Sequence, residues 1–427
     1  KMTLHMNIRM SIILSTGIIM ARYGYDQMNP PLWLILLLVM TSMAIVLRKW
    51  IQSQCILFYI CLFLLGGLLT SYQECRNRKP VTYFTMDELS EQDWFLTTAQ
   101  ERRAEIEQKL KGLGIENEDF GVIAAMAMGD KTALDKDTKE VYSVAGASHV
   151  LAVSGLHISI IFQLLIMLLG GNRRHIFVIL SALVAIWMYV LFIGMPASAV
   201  RSATMLSVYG FVTMTRRNKN SLRSLSIAFT IMLLCNPLYL FDLSFQMSFA
   251  AVGSIIVFLP LLSSLYHPTH RLSQWIWGML CVSAAAQIGT LPLITYYFGR
   301  ISCYSLLTTF IAIPAAMGIL YLCCMLMLMS PFLLLSLTVS LFSWLITWVA
   351  KALVVITHFA NTAFHLTSLA PGASIDGIHL PLPILFIIYA ALGLVYAGWI
   401  KMKRIRNKMA RSQEDFSPEN ALFTNYR

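Results

Sequence analysis

The sequence predicts an all-α polytopic membrane protein, a bundle of about 11–12 transmembrane helices with some broken or re-entrant helices. Two observations predict this fold class. The chain has 427 residues, of which 57% are hydrophobic and 12% are charged, whereas a soluble domain carries about 25% charged residues. Apolar runs of about 20 residues, the length that crosses about 30 Å of hydrocarbon, recur along the chain.

Twelve apolar segments are candidate spans because each is close to the length that the hydrocarbon core requires. The stretch between 303 and 360 is the least regular, since Pro314 and Pro331 are expected to break it into shorter or re-entrant pieces. The candidate spans are 8–21, 31–47, 53–70, 147–169, 176–194, 198–214, 224–241, 245–265, 274–297, 303–329, 332–360 and 382–400.

The charge distribution predicts the orientation of these spans. The net charge is +11, from 32 Lys+Arg and 21 Asp+Glu. Basic residues concentrate in alternate loops, such as 172–175 and 216–223, and in the tail 401–411, so the basic face is predicted to be cytoplasmic with both termini there. Attraction to a polyanion such as nucleic acid is an alternative explanation of the excess charge, but composition alone favours the positive-inside explanation.

The chain divides into four predicted segments. Residues 1–70 carry the N-terminal transmembrane helices, and 71–144 form an extracytoplasmic polar, mainly helical segment. Residues 145–400 form the main transmembrane domain, and 401–427 form a basic cytoplasmic tail. The apolar run 120–128 is too short to cross a bilayer, so we expect it to lie at the interface or to dock on the bundle.

Polar side chains inside apolar spans are costly and are therefore the first candidates for function. The richest stretch is 146–159, which also contains His149. On a continuous helix, Ser154 and His157 share a face, and a stripe of small residues that includes Gly155 would let another helix approach closely. The functional interpretation is a helix that lines a pore or contacts substrate. The alternative is a tight helix contact whose histidines bond to carbonyls, and both stay open.

Arg201 is the second candidate, about one turn inside its span if Pro196 occupies the first turn of a helix. A guanidinium at that depth needs an anion, carbonyl groups or water. It could contact phosphates passing through a pore, pair with a carboxylate such as Asp242, or extend toward the interface. Asp242 could itself cap a helix that carries Gln246 four residues later, and the sequence favours this capping role.

Other chemistry is less well supported. The stretches 287–292 and 311–314 are a polar, kinked segment and a predicted helix break. The sequence has no P-loop and no H-E-x-x-H motif, and its eight cysteines form no C-x-x-C pair, so it predicts no nucleotide hydrolysis, no metal site and no cofactor. One turn of helix between Ser154 and His157 seldom aligns a hydroxyl with an imidazole, which argues against an intramembrane hydrolase.

Five segments carry the most distinctive residue patterns. They are Gly129-Asp130-Lys131, the run Ser148 to His157, the run Pro196 to Arg201, Asn236-Pro237 with Asp242 and Phe245 to Ala250, and Gln287 with Leu291-Pro292-Leu293 followed by Pro314. In this order and spacing they resemble the competence domain of the ComEC-type DNA-internalisation family. On this resemblance Gly129, Asp130, Pro196, Pro292 and Pro314 are structural positions of the motifs.

The resemblance implies a short form with the transmembrane competence domain only, in the bacterial inner membrane. It implies a channel that passes single-stranded DNA into the cytoplasm during natural transformation. The implied partners are single-stranded DNA, membrane lipid, a DNA receptor protein, a cytoplasmic DNA-translocating ATPase and a separate nuclease, and formation of a homo-oligomer stays open. A single strand needs a wet, somewhat cationic path. Candidates for that path are His149, Ser154, Gly155, His157, Arg201, Asp242, Gln246 and Gln287.

The sequence also departs from long members of that family. Residues 71–144 are too few for their OB-like module and its linker, and the family's Asn near Thr308-Thr309 is replaced. No H-x-H-x-D-H cluster of their metallo-β-lactamase-like domain occurs, so we expect no nuclease and no other enzyme activity from this chain. Two alternative functions stay open: a transporter of a smaller solute with a closed midplane site, and a non-transporting membrane scaffold.

Overall fold

The computed structural model describes residues 2–24, 30–47, 51–78, 101, 105, 107–108, 111–112, 115, 117–170, 176–214, 221–329 and 339–415. Within them lie fourteen α-helices, a π-helical turn, a 3-10 helix and a two-stranded sheet. In chain order they are α1 (Met2–Tyr23), α2 (Pro30–Val46), α3 (Ile51–Arg78), α4 (Asn117–Ile123), the π-turn (Ala124–Met128), α5 (Lys136–Val144), α6 (Gly155–Leu168), α7 (Ile176–Phe192), α8 (Ala197–Met214), α9 (Ser221–Cys235), the 3-10 helix (Pro237–Phe241), α10 (Leu243–Ser263), α11 (Arg271–Phe298), β1 (Arg300–Ser302), α12 (Ser305–Met329), α13 (Val339–Ser368), β2 (Ser374–Asp376) and α14 (Leu382–Asp415).

The all-α polytopic membrane class is confirmed. Within the described residues each predicted span corresponds to one α-helix, except that the span 224–241 is wrong at its end, because α9 stops at Cys235 and the separate 3-10 helix follows. Helices α4 and α5 are additional to the predicted spans. In the described part of the chain, six helices are long and apolar enough to cross a membrane, namely α3, α10, α11, α12, α13 and α14. Four others, α2, α6, α7 and α9, are apolar but shorter. At 14 residues, α6 extends about 21 Å, which is less than the hydrocarbon thickness of about 30 Å.

Proline does not interrupt the long helices where the sequence predicted a break. The prediction that Pro314 ends a helix is wrong, because α12 continues through it, and α11 likewise continues through Pro292. A proline in a transmembrane helix removes one N–H but leaves the rest of the ladder, and neighbouring groups satisfy the freed carbonyl. Pro331 lies outside the described residues.

The chain divides into two compact units. The first contains residues 1–249 and 302–374, and the second contains 250–301 and 375–427. The core of the first unit is built from the segment 115–128 together with side chains of α5, α6, α7, α8, α12 and α13. This core surrounds the polar motifs that the sequence singled out between Gly129 and Arg201.

The second unit is held together by a close crossing of α10 and α11. Gly289 has no room for a side chain, because an added Cβ would lie 2.5 Å from the Ser254 Cβ and 2.6 Å from the Ala250 carbonyl oxygen. The Tyr389 hydroxyl on α14 donates to the Gly289 carbonyl at 2.7 Å. Glycine therefore permits the crossing that brings the three helices together.

The short apolar run 120–128 docks on the bundle, as one of the two predicted alternatives. Residues 122–128 are buried, and the π-turn ends at Gly129 in the left-handed conformation with φ +75. The Tyr189 hydroxyl on α7 donates to the Ala127 carbonyl at 2.9 Å. Asp130 then closes a local turn by accepting from the Thr132 backbone N–H at 2.8 Å. The Gly129-Asp130 motif thus ends the π-turn and redirects the chain.

A chain of side-chain hydrogen bonds ties this docked segment to α13. The buried Tyr142 hydroxyl donates to Asn361 Oδ1 at 2.6 Å, and Asn361 Nδ2 donates to Asp119 Oδ1 at 2.8 Å. The second carboxylate oxygen of Asp119 lies 3.6 Å from the Nδ1 of the exposed His358. Polar networks that are partly buried favour one packing arrangement, so these hydrogen bonds help to hold the segment before the first motif against α13.

Candidate functional site

The loop 145–154 carries the first half of the most distinctive motif. The prediction of one helix over 147–169 is wrong at its start, because α6 begins only at Gly155 and the preceding residues form turns. Gly146 reverses the chain with φ +77, and Ser154 is extended with φ −119 and ψ 174. His149 is therefore an exposed loop residue, and the predicted stripe of small residues is not one helix face.

Three hydroxyl side chains from distant elements fix this loop. Each donates to a main-chain carbonyl in or beside the loop, so the loop has a defined path despite lacking regular structure. The bonds are Ser302 Oγ to Val144 O at 2.8 Å, Thr308 Oγ1 to Ala145 O at 2.8 Å, and Ser198 Oγ to Val153 O at 2.5 Å. No local pattern in the sequence indicates a role for these three residues, although Ser198 belongs to one of the five motif segments.

Ser154 and His157 form the N-terminal cap of α6. The Nδ1 atom of His157 accepts from the Ser154 backbone N–H at 3.2 Å and lies 2.8 Å from Ser154 Oγ. This is the capping-box arrangement, with histidine in the place of the usual Glu or Gln. His157 is 0% exposed. Its Nε2 atom has no partner in strict hydrogen-bond geometry among the described residues, but the Val150 backbone is close enough to the ring to act as a weak hydrogen-bond acceptor.

The helices α6 and α8 approach each other closely at Gly155. An added Cβ at this position would lie 3.0 Å from Ser202 Oγ. The Ser202 hydroxyl donates to the Ser198 carbonyl on its own helix at 2.9 Å, so it needs no partner on α6. The small residues of both motifs thus permit the crossing that places the His157 helix beside the Arg201 helix.

Arg201 is enclosed by protein and has one ionic partner. Its helix starts directly after Pro196, whose carbonyl accepts from the Ala199 N–H at 2.9 Å. Arg201 Nη1 lies 3.4 Å from Asp242 Oδ2, with side-chain exposures of 3% and 39% respectively. Its Nε atom is buried and has no hydrogen-bond partner in the described part of the chain. The predicted pairing alternative is therefore confirmed, but the guanidinium is only partly satisfied.

Asp242 also has the capping role that the sequence favoured. Its Oδ1 atom accepts from the Ser244 backbone N–H at 3.0 Å at the start of α10. Just before it, Asn236 accepts from the Leu238 N–H at 3.1 Å and caps the 3-10 helix. The Gln246 side chain donates to the Leu240 carbonyl at 2.9 Å. The motif between Asn236 and Gln246 therefore shapes the turn that presents Asp242 to Arg201.

The structure brings most of the predicted site residues into the first unit. The contacts it shows are Ser154 with His157 and Arg201 with Asp242, while His149 lies on the loop that leads into α6. Gln287 is half-buried on α11 in the second unit, which also contains Pro292. Its role as a path residue stays a prediction.

His157 is expected to contribute to stability through the cap. Replacing it with leucine removes the acceptor for the Ser154 N–H and should lower the free energy of unfolding by about 1–2 kcal/mol. Replacing it with glutamine keeps a side-chain acceptor in the capping box and should cost less. Thermal unfolding of both detergent-purified variants would measure the difference. Equal losses in the two variants would show that the imidazole does not act as the cap acceptor.

Comparison with known proteins agrees with the motifs. A model of the family described as "Competence protein" matches residues 126–402. The chain is 30% identical to ComE operon protein 3 of Bacillus subtilis over 253 residues, which are 56% of this chain and 30% of that protein. It is 24% identical to Recombination protein 2 of Haemophilus influenzae over 233 residues, which are 50% of this chain and 28% of that protein.

The chain spans less than a third of the length of these two curated relatives. No solved structure matches it. The matched family region begins within the docked π-turn and includes the loop 145–154, the α6 cap, the Arg201–Asp242 pair and Gln287. With well over half of its length matched by the family model, this chain belongs to the Competence protein family.

Proposed function

We propose that the chain forms a channel through which single-stranded DNA crosses the bacterial inner membrane during natural transformation. Membership in the Competence protein family supports a role in this process. The observation that carries the proposal is the state of Arg201, a buried cation that has, among the described residues, one ionic contact of 3.4 Å and no partner for its Nε. A charge inside a membrane protein is costly and marks a path for ions or substrate more often than a packing site.

The chemistry of Arg201 suits a phosphodiester. Charge-assisted contacts between nitrogen and oxygen are normally about 2.7–2.9 Å long, so the contact to Asp242 leaves much of the guanidinium's capacity unused. Arginine recognises phosphate in a fork geometry, and attraction to an anion strengthens where water is excluded. Every nucleotide carries the same phosphate, so such a site would accept a strand of any sequence.

His157 adds a second donor, which is only weakly engaged by the Val150 backbone. Because its Nδ1 accepts from the Ser154 N–H, its proton lies on Nε2, the atom without a partner in strict hydrogen-bond geometry among the described residues. A neutral imidazole in this tautomer offers only an N–H at that edge. Helices α6 and α8 pack against each other, so both donors belong to one pair of helices. Two donors that the described residues satisfy only in part suit an anionic ligand.

The proposal includes a topology and partners. The basic loops are placed in the cytoplasm, with both termini on that side. We assign the chain no nuclease and no nucleotide hydrolysis, so a DNA receptor protein, a DNA-translocating ATPase and a nuclease would be separate proteins. Self-association into a homo-oligomer is not required by the site.

Burial of the two donors favours a second candidate, a transporter of a smaller anionic solute. His157 is 0% exposed and Arg201 is 2% exposed. Such burial is expected for a closed midplane site. A pure scaffold would be expected to neutralise Arg201 fully, and the 3.4 Å contact to Asp242 is too long to do so.

Deletion of the gene in its host tests the proposal. The deletion strain should retain binding of labelled DNA at the cell surface but lose its entry into the cytoplasm, and a plasmid copy of the gene should restore entry. DNA entry that continues at the normal rate in the deletion strain would overturn the channel proposal. Loss of a small anion's uptake with normal DNA entry would favour the second candidate.

A further inference from the structure

We propose that Asp242 is a resident counter-anion which holds Arg201 until a phosphate of the strand displaces it. This inference rests on the proposed function, because it assigns a role to the partner of the cation that would contact DNA. The Arg201–Asp242 pair then differs from a structural ion pair in one respect. It must open and re-form as each strand passes. The two partners have unequal surroundings, and this inequality decides which of them can leave.

Arg201 depends on Asp242 more than Asp242 depends on Arg201. The guanidinium side chain is 3% exposed, and its Nε lacks a partner in the described residues. Water therefore reaches it poorly, and moving it without an anion would leave a buried charge uncompensated, which is strongly unfavourable. The arginine can exchange one anion for another, but it cannot easily remain without one.

Asp242 is stabilised by three contributions that do not involve Arg201. Its Oδ1 accepts from the Ser244 N–H at 3.0 Å, so the carboxylate stays bonded when Oδ2 is released. It lies at the N-terminus of α10, where the helix dipole favours negative charge. Its side chain is 39% exposed, so the protein does not enclose the released oxygen. The carboxylate can therefore lose the arginine at modest cost.

An exchangeable counter-anion gives the site a function that a bare arginine lacks. Conduction requires binding that is favourable enough for entry and weak enough for release. With Asp242 present, a phosphate has to compete for Arg201 and is expelled when the carboxylate returns. Without it, Arg201 should hold phosphate more tightly and release the strand more slowly. Asp242 would then set the residence time of each phosphate at Arg201.

Asp242→Asn separates the two roles of this side chain. Asparagine keeps an Oδ1 acceptor for the Ser244 N–H, so the cap persists, but it removes the negative charge facing Arg201. Asp376→Asn is the matched control, because it removes the carboxylate of the Arg300–Asp376 pair in the other unit. The full chain would be purified in nanodiscs of zwitterionic lipid, and binding of a fluorescent single-stranded oligonucleotide would be measured by anisotropy.

We expect Asp242→Asn to bind the phosphodiester oligonucleotide roughly tenfold more tightly than the wild type, a coupling of ordinary size between competing ligands. Asp376→Asn should bind like the wild type, and an oligonucleotide with an uncharged methylphosphonate backbone should show no gain with Asp242→Asn. Equal or weaker phosphodiester binding by Asp242→Asn would overturn the counter-anion role. Absence of binding by both the wild type and the control would instead contradict the proposed function itself.

A second measurement uses the wild type and so does not depend on folding of the variant. Carbodiimide modifies accessible carboxylates, and mass spectrometry can locate the product at Asp242. Adding the phosphodiester oligonucleotide should increase modification of Asp242, because Oδ2 is released, and should leave Asp376 unchanged. Unchanged or reduced modification of Asp242 on binding would show that the Arg201–Asp242 pair stays closed.

Discussion

Replacing Arg201 with alanine is expected to lower transformation by added DNA about 100-fold, because losing one buried favourable charge contact raises the barrier to passage by about 3 kcal/mol. The amount of protein in the membrane should stay unchanged. The carboxylate left behind at Asp242 is 39% exposed and remains bonded to the Ser244 N–H, so the substitution creates no buried unpaired charge. Transformants per cell, normalised to the membrane level of the protein by immunoblot, would measure the effect.

Arg300→Ala is the matched control for this prediction. It also removes an arginine from an ion pair with an aspartate, but the two side chains of this pair are 30% and 54% exposed. Ion pairs at such exposure contribute little, so transformation should remain within about twofold of the wild type. If Arg201→Ala transforms as well as Arg300→Ala at equal protein level, Arg201 has a structural role and the channel proposal loses its main support.

The helical class was predictable because the bilayer imposes it. Apolar runs such as 382–400 can satisfy their backbone only as helices, so composition and run length identified each span. The ends of the spans were less predictable. Proline normally ends a helix in water, and this rule suggested a break at Pro314. Helix α12 nevertheless passes through it, since lipid offers the freed backbone no alternative partner.

The sequence predicted which residues form the candidate site better than it predicted how they are arranged in space. Arg201 and Asp242 were identified because a charge within an apolar run must find a partner, and the structure shows that pair. Residues 147–154 of this loop were predicted as helix, because their alanines, valines and leucine resemble the start of an apolar span. Two signals in the sequence could have shown the loop: Gly146, which adopts positive φ, and the Ser154-x-x-His157 spacing of a capping box.

The anchors of that loop could not have been predicted from local pattern. Ser302 and Thr308 lie more than 150 positions along the chain from the carbonyls they contact. Their hydroxyls resemble many others in the sequence, and only the packing of α12 against the core brings them to the loop. The loop, the α6 cap and the approach of α6 to α8 at Gly155 therefore depend on one another. Gly146 is the position at which this arrangement is most sensitive.

Replacing Gly146 with valine is expected to prevent the protein from accumulating in the membrane. Its φ of +77 is a left-handed conformation that a β-branched residue adopts only with severe strain. An added Cβ would also lie 2.7 Å from the Ser305 Cβ and 2.7 Å from Ser302 Oγ, displacing the hydroxyl that holds the Val144 carbonyl. Strain of about 1–3 kcal/mol and overpacking of about 1–3 kcal/mol together approach the stability of a typical domain, about 5–15 kcal/mol.

Gly372→Val separates these two contributions. Gly372 also has positive φ, +72, but an added Cβ there would meet nothing within 4 Å. This variant should therefore carry the backbone strain without the collision and should accumulate, with a thermal midpoint a few degrees below the wild type. Membrane level and thermal unfolding in detergent would be compared for both variants. If Gly146→Val and Gly372→Val behave alike, α12 must move to make room for the added methyl groups. The loop 145–154 would then not depend on close contact with Ser302 and Ser305.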